Sequence, residues 1–396
     1  MIQICLKKKI LFVSTLPPKK CGIASFTSDL INAVNNKTKE TISIENCALD
    51  KESNAGLYNY PVTGIWNAHK PGSYIEKAMA VNDDEAIKLV CIEHEFGLYG
   101  GDLGEYLLGF LSMLEKPFVI RFHTVLPNPS AKRLGIITSI ALLASKVIVM
   151  TKQSARILKE DYGISIGKIV LIRHGTHAAS NANIHELKEK YNLQDKQILT
   201  TFGLLSPNKG IEKGILAMKE ISVAFPAAVY VVLGQTHPNL LEQEGEKYRE
   251  YLQQLITDNN LQDNVRLINE YVPTEKLMEY LRITDIYLFT SKDPHQAVSG
   301  TFLYAMSAGC PVISNSFVLA HEMLDEKTGI ILTSDKESEL AEHVIRLLQF
   351  PELKKEMSNN ALLKTRNTTW TKIGEKHADL FTEILNGAAI KKELPA

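Results

Sequence analysis

Residues 291–314, SKDPHQAVSGTFLYAMSAGCPVIS, decide how the chain is read. They run from the end of an apolar strand through a polar loop into a helix, and on to a second apolar strand. Ser299 is a good N-cap, Gly300 lets a ligand approach the backbone closely, and Thr301 follows in the first turn. A helix start leaves amides without intrahelical partners and carries the positive end of the helix dipole. The segment is therefore either a plain capped helix or a ready anion site. Asp293, the nearest acid in the loop, reads as a turn residue in preference to a sugar ligand.

Outward from this stretch the same pattern recurs. Runs rich in Val, Ile and Leu at 198–202, 229–233, 265–268, 286–289 and 311–314 alternate with helix-period segments. Buried parallel strands covered on both faces require that pattern. Earlier runs at 10–14, 89–93, 118–122, 147–150 and 169–172 make a first set, and the polar stretch 178–183 separates the two. The chain is thus read as α/β with two doubly wound domains, residues 1–178 and 184–370, followed by a last segment, 371–396. Two similar domains should face each other across one cleft, with ligands at the carboxyl ends of the strands. Helices are expected at 351–365 and 371–385. The second, with Trp370 at its entrance and Phe381 and Leu385 on one face, could clasp the two domains together. A single (β/α)8 barrel fits less well, because about ten strands are counted and the pattern resets near residue 180.

The composition limits the function. The 396 residues carry 44 Lys plus Arg against 45 Asp plus Glu, a formal net charge of -1, so no global field favours nucleic acid. Five scattered cysteines, none in a CxxC pair, argue against a disulfide framework or a zinc site and fit a reducing cytosol. The apolar run at 10–13 is too short for a signal peptide or a membrane span.

A second informative segment, residues 202–210 (FGLLSPNKG), also follows a strand and opens a helix. It places Lys209 at the same sheet edge, either as a solvated loop lysine or as a cation for a leaving phosphate. Two adjacent strand ends would then converge on one anion.

At this point the residues resemble a family. Gly203-x-Leu205 with Lys209-Gly210 following, then the helix start at Ser299 and Tyr304-Ala-Met-Ser-Ala-Gly-Cys-Pro-Val-Ile313, is similar to the donor half of GT-B glycosyltransferases of family 4. The resemblance extends to the turn from Pro17 to Ala24 after the first strand, to Phe122-His123-Thr124, and to the tryptophan-led final helix, which in that fold crosses back to the N-terminal domain. It implies a retaining hexosyltransferase that moves a sugar from a GDP- or UDP-linked donor, held by the C-terminal domain, to a glycan or glycoconjugate acceptor held by the N-terminal one. Lys209 and the amides of Ser299, Gly300 and Thr301 would hold the diphosphate, and Val272 would lie against the base. Gly22 would give room at the first loop. His123 would point toward the transferred sugar.

The sequence departs from the family where two glutamates are commonly separated by seven residues, because Gln296 and Tyr304 occupy those positions. Gln296 can still hydrogen-bond sugar hydroxyls, and the Tyr304 hydroxyl can reach a ribose. Leu204 stands where an arginine usually does. In the family's usual mechanism the acceptor attacks on the face the diphosphate leaves from, so the protein mainly positions groups and stabilises charge.

Residues 93–95, Glu-His-Glu, end a strand before the glycine-rich loop 97–104, which makes His94 and Glu95 candidates for the acceptor pocket. His94, His123 and His174 all follow strands. With no Asp-x-Asp pattern the expectation is metal-independent transfer without a cofactor. Residues 132–144, KRLGIITSIALLA, read either as a core helix or as a peripheral membrane contact. Two other functions remain on the same fold: a non-catalytic sugar-nucleotide-binding or partner subunit, and a phosphorylase of the family 4 type.

Overall fold

The computed structural model describes residues 7–58 and 62–393. The chain divides into two units, one made of Met1–Gly175 with Trp370–Ala396 and the other of Thr176–Thr369.

The first unit holds a sheet of β1 (Lys8–Ser14), β2 (Ile42–Leu49), β3 (Val62–Trp66), β4 (Ile87–His94), β5 (Phe118–Phe122), β6 (Lys146–Val149) and β7 (Ile169–Leu171), in the order β3-β2-β1-β4-β5-β6-β7. The second holds β8 (Gln197–Phe202), β9 (Ala228–Leu233), β10 (Val265–Ile268), β11 (Ile286–Phe289), β12 (Val312–Ser314) and β13 (Gly329–Ile331), in the order β10-β9-β8-β11-β12-β13. All pairs are parallel. Strand order reverses at β1/β4 and at β8/β11. A crevice for ligands forms at the carboxyl ends of strands flanking such a reversal.

Most strand positions are apolar because both faces of each sheet are covered. In β8 and β9, Ile198, Phe202, Val229, Val231 and Leu233 enter one apolar cluster, while Leu199, Tyr230 and Val232 enter the other. Full burial of each such side chain is worth about 1.5–3 kcal/mol.

Three strands escape the sequence reading. β2 reads ISIENCAL, and its Glu45 and Asn46 break the apolar run; β3 contains Gly64; β13 is three residues long. A short or interrupted run gives little periodicity to detect.

The helix Pro351–Thr365 lies in the second unit and the helix Trp370–Glu393 in the first. Ile373 and Phe381 of that last helix are fully buried, and Phe381 meets Phe12 of β1 edge-on at 6.0 Å. The helix packs on Gly22–Thr38, and Gly374 makes the close approach possible: a Cβ there would stand 2.6 Å from the Ala33 carbonyl. The stretch 132–144 forms the helix Ala131–Leu143, with Ile136, Ile137, Ile140 and Ala141 in the core and Lys132 paired with Asp102 and Glu105 at 2.8 and 2.7 Å. Leu134, Leu142 and Leu143 of the same helix are exposed. Among the described residues, no helix is long and apolar enough to cross a membrane.

Candidate functional site

In the second unit the loops after β8 and β11 are joined at both ends. Near the strands, Gly203 has φ +132°, and a Cβ on it would touch Thr301 Cγ2 at 3.4 Å. Further out, Thr290 Oγ1 donates to the Lys209 carbonyl at 2.9 Å and the Lys292 amide to the Asn208 carbonyl at 2.9 Å. Gly210 adopts the left-handed conformation against the Thr290 carbonyl, so the turn Pro207–Lys209 seats directly on the β11 loop.

A buried lysine holds this arrangement from below. Lys213, 8% exposed, donates to Asn315 Oδ1 at 2.9 Å and to the Ser334 carbonyl at 3.1 Å. Asn315 Nδ2 in turn donates to the Thr290 and Ser291 carbonyls at 2.9 and 3.1 Å. The loop that leads to Ser299 is thereby fixed at its origin.

The helix Gly300–Ser307 begins where the sequence places it. Ser299 is 4% exposed; its Oγ accepts from the Phe302 amide at 3.4 Å and lies 3.0 Å from Thr301 Oγ1. Phe302 is fully buried against Phe289 and Phe317, with centroids 5.5 and 5.3 Å away, which anchors the first turn to β11. Lys209 is partly buried, and burial alone pulls the pKa of its ammonium down. Among the described residues that ammonium makes no hydrogen bond or ion pair. A cation partly withdrawn from water without a counter-charge is stabilised by an anion brought beside it. Its charge also helps hold the nearby His237 below the usual histidine range, after burial.

The remaining candidates of this unit are Val272, Gln296 and Tyr304. Val272, Val298 and Tyr304 are partly buried on the cluster that contains Phe202 and Phe302, and His177 meets the Tyr304 ring edge-on at 4.9 Å. Gln296 is held within its own loop: Oε1 accepts from Ser291 Oγ at 3.3 Å, and Nε2 donates to the Val298 carbonyl at 3.0 Å. One amide hydrogen and one lone pair remain for a ligand.

In the first unit, Gly22 opens the helix Gly22–Thr38 after β1, with Cys21 Sγ accepting from the Ala24 amide at 3.3 Å. A Cβ at Gly22 would meet nothing within 4 Å, so the space beside it is open. At the ends of β4 and β5, His123 Nε2 lies 2.7 Å from Glu93 Oε2. Glu93 is fully buried; burial opposes its charge, but Arg121, with Nε 3.6 Å away, and His123 outweigh burial and keep its pKa low. Arg121 lies over the Phe26 ring at 4.8 Å, and its Nη2 is bonded to His377 Nε2 on the last helix.

Two acceptor candidates sit differently from the sequence expectation. His94 is fully buried, stacked on Tyr99 and edge-on to Phe96 and Phe122, and burial drives its pKa down to about 3. Its nitrogens face the core, out of reach of an acceptor. Glu95 is partly exposed, yet both carboxylate oxygens are engaged, Oε1 by the Phe96 amide at 3.0 Å and Oε2 by Thr124 Oγ1 at 2.6 Å. His94, His123 and His174 do not form a ligand set, and no group of three or more His, Cys, Asp or Glu among the described residues is placed to hold a metal.

The sequence reading passed over Arg121 and His377. A signal was present: FVIRF carries one arginine in an otherwise apolar buried strand, and the β4/β5 register sets Glu93 opposite it. A buried charge in such a strand needs a partner.

Comparison with known proteins agrees with this architecture. Residues 183–364 match the family model for glycosyl transferases group 1. The alpha-D-kanosaminyltransferase of Streptomyces kanamyceticus is 25% identical over 209 residues, 52% of this chain and 51% of the relative. A GDP-mannose-dependent alpha-(1-6)-phosphatidylinositol monomannoside mannosyltransferase of Mycolicibacterium smegmatis is 24% identical over 152 residues, 37% of each chain. The chain thus spans about half the length, or less, of these curated relatives. Among solved structures, sucrose-phosphate synthase from Thermosynechococcus elongatus superposes with a TM-score of 0.78 at 17% identity, over 96% of this chain and 100% of that one. Anabaena HepE in complex with UDP and glucose gives 0.74 at 17% identity, over 95% and 100%. Such identities speak for the fold, which carries GT-B glycosyltransferases. The match over residues 183–364 makes the second unit similar to the group 1 glycosyl transferases, and the two-sheet fold is the one these solved structures share.

Proposed function

We propose that the protein is a retaining, metal-independent hexosyltransferase that takes a sugar from a GDP- or UDP-linked donor and passes it to a glycan or glycoconjugate. The observation that carries this reading is the unpaired ammonium of Lys209, on a loop bonded to the loop that leads into the capped helix start at Ser299. An ammonium and first-turn amides together suit a diphosphate better than any neutral ligand. The sugars and nucleotides in the relatives' names are of the same class as the proposed substrates.

In this reading Val272 and its apolar neighbours take the base, and the Tyr304 hydroxyl a ribose oxygen. The bond from the anomeric carbon to the diphosphate breaks as the bond to the acceptor oxygen forms on the same face. The acceptor proton passes to a diphosphate oxygen. Lys209 and the amides of Ser299, Gly300 and Thr301 stabilise the charge that grows on the leaving group. His123 and Gln296 hydrogen-bond the sugar, and Gly22 leaves it room.

A second reading, a binding subunit without turnover, draws on Gln296 and Tyr304, which supply no carboxylate, and on the internal bonds of Gln296. One experiment separates the two. The protein is melted with GDP, UDP, GDP-sugars and UDP-sugars, and then incubated with the stabilising donor, followed by mass spectrometry. A raised Tm with free nucleoside diphosphate and transferred or hydrolysed sugar supports transfer. A raised Tm with the donor fully intact supports the binding subunit. No shift with any nucleotide removes both.

A further inference from the structure

We propose that Glu93 is the positioning residue that decides which nitrogen of His123 is offered to a ligand, with Arg121 and His377 holding Glu93 in place. An ionised carboxylate only accepts hydrogen bonds, so the 2.7 Å contact between Glu93 Oε2 and His123 Nε2 places the ring proton on Nε2. His123 Nδ1, which takes no hydrogen bond among the described residues, is then left with a lone pair. The ring presents an acceptor, and a hydroxyl group is the donor that suits it.

The surroundings hold this state. Glu93 and Arg121 face each other in the β4/β5 register, both fully buried, and removing either would strand the other's charge. Arg121 is held in turn by the last helix: His377 Nδ1 donates to the Ile373 carbonyl at 2.7 Å, so His377 Nε2 accepts from Arg121. Phe26 closes the other side, with Arg121 over its ring and His123, His174 and Trp370 meeting it at 5.1, 4.9 and 5.3 Å. The carboxylate therefore cannot rotate away without displacing packed groups on the first helix, on β5 and on the last helix.

The role of Nδ1 toward a sugar hydroxyl rests on the transferase reading, whereas the ring tautomer does not. The test is a long-range 1H–15N spectrum of the full chain labelled with 15N-histidine, recorded without ligand at pH 8, with His123 assigned by its loss in His123→Gln. Nε2 carries the proton in the expected spectrum, and Glu93→Gln turns His123 into a mixture or into the Nδ1–H form. A wild-type ring protonated on Nδ1 overturns the proposal even if Glu93→Gln does not fold, and so does a folded Glu93→Gln with an unchanged tautomer. Where turnover is measurable, Glu93→Gln should lower kcat at least tenfold with less than a threefold change in donor KM. If no nucleotide binds at all, the transferase reading fails while the tautomer result still stands.

Discussion

Lowering the pH from 7.5 to 5.5 should selectively loosen the unit that contains residues 1–175 and the last helix. Three of its histidines are buried and held neutral. Burial brings His94 to about 3 and His174 to about 4, and it drives His377 well below the ordinary range, with Arg121 adding to the effect. All three have folded pKa values below the unfolded value of about 6.5. In the window between those values the unfolded chain binds more protons, so stability is fully present above about 6.5 and is lost as the pH falls. At pH 5.5 the loss is RT ln(1 + 10), or about 1.4 kcal/mol for each of His94 and His174 and about 3 kcal/mol for the two, with His377 adding in the same direction. Glu93 also has a lowered pKa, but its contribution is lost only at still lower pH, below the ordinary glutamate value, and does not enter this window. Urea unfolding followed by tryptophan fluorescence reports this unit alone, because both tryptophans, Trp66 and Trp370, lie in it. His94→Leu, which removes a ring with no hydrogen bond to lose, should cut the acid-induced loss by about 1.4 kcal/mol without lowering stability at pH 7.5. An equal pH dependence in wild type and His94→Leu would refute the reasoning.

Other consequences follow from the second unit. Gly234 has φ +151°, and a Cβ there would overlap the Gly203 carbonyl, so Gly234→Ala should cost about 2 kcal/mol or more and shift the urea midpoint of that unit, read by far-UV circular dichroism. Ser299→Ala removes the cap of the helix at 300–307 and should lower stability by about 1 kcal/mol while weakening nucleoside diphosphate binding, measured by calorimetry.

Much of the fold could be read in the sequence because strands buried on both faces must be apolar. Five runs in the second half fall on β8 to β12, and the β5 run matches Phe118–Phe122 at both ends. β2 and β13 could not be read that way, since Glu45 and Asn46 interrupt one and the other spans a single turn's length of chain. The same logic holds for the candidate site. The Ser299 cap and the Lys209 turn are local features, set by neighbours in sequence, and local signals found them. The partner of His123 is set by strand register, and that of Arg121 by a helix 256 residues further on. His94 misled because a histidine ending a strand has the same sequence whether its ring turns outward or into the core. Its neighbours Tyr99 and Phe122 decide, and only packing brings them together.

The central claim, that the second unit grips a diphosphate through Lys209, is tested most directly by calorimetric titration of wild type and Lys209→Ala with GDP, UDP, guanosine and uridine. A charge-assisted contact is worth about 1.5–3 kcal/mol, so Lys209→Ala should weaken the preferred nucleoside diphosphate by about 10- to 100-fold and leave the corresponding nucleoside within about twofold. Equal loss for diphosphate and nucleoside, or no loss for either, would contradict it.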